Sequence, residues 1–223
     1  MQKIVLGAIA LLIPMLALAE GPKIKYLYSG VFDAWCSASN GTVVPDEKRQ
    51  QLLGKVDNIQ AEWDKLGPEL LATTEKLIGK PFRRREVTAT LFLCGKTPSM
   101  SVPLLVNGNW FVDGKRQLPD DMATHIVFHE LLHIYVVDHI GGETPLRKKY
   151  EADGEHYLIL NHLHLMAVQK LVYLELGLEE ELARVIANDS ILAKGAYKRA
   201  WGIVNDVGHD VFVAELTAEQ ITD

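Results

Sequence analysis

Three histidines and one glutamate interrupt an otherwise apolar run, THIVFHELLHIYVV, at residues 124–137. His125, His129 and His133 recur every fourth residue, and Glu130 directly follows the second of them. On a helix each residue turns by about 100°, so His133 lies about 40° and Glu130 about 100° from His129. Two imidazoles one turn apart on one face can close on a single divalent ion, with the carboxylate beside them. The rest of the surface carries Val127, Phe128, Leu131, Ile134 and Tyr135, so the helix is apolar nearly all round and belongs in a core. A buried carboxylate without a partner is costly, and an adjacent cation and water would supply one.

The pattern HELLH is the His-Glu-x-x-His spacing in which two histidines bind zinc and the glutamate acts as general base. Shuffling this composition produces it by chance at a rate of roughly 2%, before an apolar helix is demanded around it. Seven of the eight histidines also fall between residues 125 and 164, a clustering that the five-residue pattern does not require.

Through this motif the chain resembles the zincin metallopeptidases, and the resemblance is carried by residues 119–164. It implies a zinc-dependent hydrolase, most simply a peptidase acting on a peptide or protein substrate. His129 and His133 would be metal ligands, and Glu130 would activate a zinc-bound water as the catalytic base. By the same analogy Leu104–Val106 would offer an edge strand to an extended substrate. A third ligand is needed. A metzincin extension would use His139, but Val136 stands where that pattern has the glycine that turns the chain. A gluzincin would take a carboxylate from a following helix, for which Glu151 and Glu155 are the candidates. In NHLHL, His162 and His164 lie two residues apart and face opposite ways on a regular helix, so one ion cannot use both. His162 shares a face with Leu158, Leu165, Met166 and Gln169, and a helix packed on the first could aim it at the metal. The reading adopted is His129, His133 and His162 on Zn2+, with the two glutamates, His139 and His164 as alternatives. A catalytically inactive zinc-binding interaction module is the competing function.

Other polar residues carry weaker signals. His125 either supports a ligand from behind or sits on the surface near the helix start. Asp138 and Asp153 could orient an imidazole, or merely mark a helix end and a loop. His209 is the one late histidine and a candidate to stabilise an oxyanion.

The elements around the motif follow from periodicity and punctuation. Residues 1–19 carry Lys3, an apolar run and Ala17-Leu18-Ala19, which reads as a cleaved secretory signal and leaves residues 20–223 as a single domain. A secreted or periplasmic protein with no membrane anchor after cleavage is therefore expected. In that compartment Cys36 and Cys94 should pair, closing a loop of about 59 residues worth roughly 4 kcal/mol. A net charge of −6 gives no electrostatic reason to expect nucleic acid, and the RRR run at 83–85 reads as a solvated edge before a strand. Residues 21–44 read as strand or loop, and helical spacing follows from Pro45 until Gly67-Pro68 interrupts it. EVTATLFLC reads as a strand, and SVPLLVNGNWFVDG as a hairpin about Asn107-Gly108. The motif helix runs to about Val137, and a long helix spans roughly 155–176 with two more beyond it. The expected class is α+β, with a small mixed or antiparallel sheet, the motif helix, and a mainly helical C-terminal half.

Overall fold

The structure is a computed structural model that describes residues 21–95, 98–112, 114 and 117–218. The expected leader lies outside the described residues.

Alternating residues in KIKYLY bury Ile24 and Tyr26 and form β1 (Lys23–Tyr28). β2 (Glu86–Phe92) pairs with it, and β3 (Leu105–Asn107) pairs with β2, giving the order β1-β2-β3. Both pairings are parallel, so the α+β class stands while the sheet is neither mixed nor antiparallel. Between β1 and β2 the chain crosses over through α1 (Gly30–Asn40), α2 (Asp46–Leu53) and α3 (Val56–Ile78), as a parallel pair requires.

Three local readings are corrected here. Helix α1 takes the place of the strand or loop expected there: the Ser29 hydroxyl accepts from the Phe32 amide and caps it. Gly67-Pro68 does not stop α3, which continues through both residues because its apolar face stays buried on either side of them. The hairpin at Asn107-Gly108 is absent. The Asn107 side chain takes the Asn109 amide, Gly108 donates to the Phe92 carbonyl, and the chain turns into α4 (Asn109–Val112).

The motif run forms α5 (Met122–Ile140), buried along nearly its whole length and packed between α3 and α8 (Leu163–Glu175). Thr144 caps α6 (Pro145–Ala152), its hydroxyl accepting from the Arg147 amide. The expected long helix is broken into α7 (Tyr157–Leu160) and α8, with His162 in the joint. α9 (Glu179–Asp189), α10 (Ala196–Val207) and α11 (His209–Thr217) complete the helical half. One apolar core reaches from Ile24 in β1 to Leu216 in α11. A disulfide joins Cys36 of α1 to Cys94 beyond β2, with the Cα atoms 5.8 Å apart. Among the described residues no helix is long and apolar enough to cross a membrane.

Candidate metal centre

Helix α5 places His129 and His133 one turn apart, and the α7–α8 joint brings His162 against both. The ring centroids of His162 lie 5.2 Å from His129 and 4.6 Å from His133. One ring nitrogen of each residue lies within 4.8 Å of the others, a group able to hold a metal ion. Tetrahedral zinc asks for nitrogens about 3.3 Å apart.

The hydrogen bonds leave the right atoms free. His162 Nδ1–H donates to the Leu158 carbonyl at 2.5 Å, and its Nε2 is buried without any partner. His129 Nδ1–H donates to Gln169 Oε1 at 3.2 Å, which turns its Nε2 lone pair outward from α8. All three rings favour the neutral form that binds metals. Burial lowers the His129 pKa to about 4 and that of His162 to about 3. His133 falls to about 2, through burial first and then the neighbouring imidazoles. The orphaned His162 nitrogen is the test of fit, since burying an acceptor unpaired is costly unless something binds it. A histidine triad without carboxylate suits a first-row transition metal, zinc among them, rather than calcium or magnesium.

Glu130 lies beside this group, buried, with Ser101 Oγ donating to its Oε2 at 2.6 Å. Burial raises its pKa to about 7; the Ser101 hydrogen bond opposes the shift and the charge of Asp189 adds to it. Tyr197 lies tilted against His162 at 4.2 Å between centroids, and burial with the charge of Glu130 raises its phenol to about 12. A cavity of about 530 Å³ opens along Glu130, His129 and Tyr197.

The remaining candidates fall elsewhere. Glu151 is exposed on α6, and Glu155 pairs with Arg199 at 2.5 Å. His139 Nε2 bonds the Pro81 carbonyl at 2.9 Å, and His164 Nε2 meets Glu215 at 2.6 Å. His209 pairs with Asp210 at the start of α11 and is not among the residues lining the cavity. Asp153 caps the C-terminus of α6. His125 is buried rather than superficial: it lines the cavity, and its Nδ1 meets the Tyr173 hydroxyl. The Leu104–Val106 edge is closed to a substrate, because Met100 already takes both the amide and the carbonyl of Leu105. Ser101, Gln169, Asp189 and Tyr197 were not assigned roles from sequence. Only Gln169 left a signal there, as a polar residue on the apolar face of His162.

Compared with known protein families, with curated proteins and with solved structures, the chain matches none.

Proposed function

We propose that the protein is a secreted or periplasmic zinc-dependent hydrolase of zincin type, cleaving peptide bonds. One observation carries this reading: three neutral imidazoles converge, one with an orphaned buried nitrogen, beside a buried glutamate that opens on a cavity. His129, His133 and His162 would hold the ion. Zinc, when bound, supplies a Lewis acid that makes water more acidic and polarises a carbonyl. Ser101 holds Oε2 of Glu130, so Oε1 is the atom placed to take a proton from attacking water. With an affinity for protons set near pH 7, the same carboxyl can pass that proton to the departing amine. Tyr197 keeps its phenol proton and can donate it as a hydrogen bond to the developing oxyanion.

Glu130→Gln should retain metal by elemental analysis yet lose hydrolysis by a factor of about 10² or more, because the water loses its base. His129→Ala should lose both. Full activity in Glu130→Gln, or purified protein that takes up no divalent ion, would overturn the reading.

A further inference from the structure

Of the metal group, His129 lines the cavity, with Glu130 beside it. The C-terminal end of α9 also lines it, where Val185, Asn188 and Asp189 share a face. Asp189 is 6% exposed. Its Oδ2 accepts from Trp201 Nε1 at 2.9 Å, and the Asn188 side chain also bonds it. Both donors are neutral, so they orient the carboxylate without balancing its charge. The C-terminal end of the helix dipole adds partial negative charge. Among the described residues lining the cavity there is no lysine or arginine. Of the two histidines there, His125 meets the Tyr173 hydroxyl and His129 the Gln169 side chain, so neither pairs with Asp189. A metal on the triad would answer Glu130, but no described residue brings a positive charge to Asp189. Met122, Ile126, Val185 and Leu192 line the same cavity and give it an apolar passage.

We propose that this cavity receives a long basic side chain of the substrate, its alkyl stem along Ile126, Val185 and Leu192 and its cationic head at Asp189. The proposal rests on the peptidase reading and names the substrate class for it. An aromatic or aliphatic occupant would fit the passage but would strip water from Asp189 and leave the charge unpaired. A guanidinium or ammonium head restores the balance, while its stem covers apolar wall. The burial that raises the Asp189 pKa to about 6 agrees with a carboxylate lacking a resident cation. A peptide N-terminus carries the same charge but no stem to fill the passage.

Binding and cleavage test this separately. Butylguanidine, which does not coordinate zinc through a protonated head, and 1-pentanol are titrated by calorimetry into zinc-loaded protein. Butylguanidine should bind at least about tenfold more tightly, as a charge-assisted pair does over a neutral one. Asp189→Asn, which can still accept from Trp201, should erase that preference; the two probes on unaltered protein decide the matter if the variant fails to fold. Equal binding of the two overturns the proposal. A library of N-acetylated peptides should be cut preferentially beside Lys or Arg. Cleavage only of peptides with free N-termini, or cleavage without basic preference, sinks the proposal and leaves the hydrolase standing. Selective cation binding with no cleavage of any peptide does the reverse: the cavity reading survives and the hydrolase falls.

Discussion

The behaviour of His129 depends on one amide, the Gln169 side chain that accepts from its Nδ1. Such a partner fixes the tautomer and raises the basicity of the free nitrogen, and losing one typically costs 10–100-fold in metal affinity. Gln169→Leu should therefore weaken zinc binding by about that factor in a chelator competition, with the fold intact. Unchanged affinity would show that packing alone orients the ring. Asp189 makes a second prediction at this scale. Its folded pKa, about 6, lies above the ordinary 3.8, so folding favours the protonated form. The stability this contributes is full below about pH 4 and is lost as pH rises through 6, on the order of 3 kcal/mol. The buried histidines act in the opposite sense: their pKa values are depressed, so stability is lost as pH falls below about 6.5. Comparing wild type with Asp189→Asn in metal-free protein isolates the first effect. The variant should be the more stable of the two at pH 7.5, with the gap closing by pH 4. Parallel urea curves at both pH values would count against it.

At the scale of elements, the site depends on α5 being clamped from both sides. α3 supports one flank, and its course through Gly67-Pro68 keeps a 23-residue helix against α5. Gly67 is there because Trp63 lies flat on it: a Cβ would come within 2.3 Å of the buried indole. Helix propensity alone favours Ala over Gly by about 1 kcal/mol. Gly67→Ala should nonetheless destabilise the protein, by about 1–3 kcal/mol in denaturant unfolding, since the ring has nowhere to move. A stabilised variant would mean the contact yields easily. On the other flank, the break between α7 and α8 delivers His162. An unbroken helix would have carried His162 and His164 to opposite sides; the joint sends His162 to the metal group and leaves His164 with Glu215.

For the whole molecule, three imidazoles from two distant segments would make a bound metal a cross-link within the core. Ions that bind only the folded chain stabilise it by about 4 kcal/mol when present at about a thousand times Kd. For a chain of this size that corresponds to roughly 10 °C in Tm. Chelation should lower the melting temperature by about that much, and re-addition of zinc should restore it; a Tm indifferent to chelator would argue against a resident ion. The Cys36–Cys94 bridge holds α1 to the end of β2. It constrains the sheet side of the molecule, away from the helices that carry the histidines.

What the chain settled by itself was what depends on local periodicity and chemistry. HELLH on an apolar helix places two imidazoles and a glutamate on adjacent faces whatever the surrounding fold, and two cysteines without other partners have each other to find. The α+β class followed equally from the order of strand-like and helix-like segments. Tertiary structure decided the rest because it depends on residues far apart in sequence. Strand direction could not be read from EVTATLFLC or PLLVN, since parallel and antiparallel neighbours bury the same alternating side chains. His162 was one of several candidates until the α7–α8 joint turned it inward. Asp189 had no signature at all: it sits at the end of an ordinary acidic, amphipathic helix, and only folding brings it into the same cavity as Glu130.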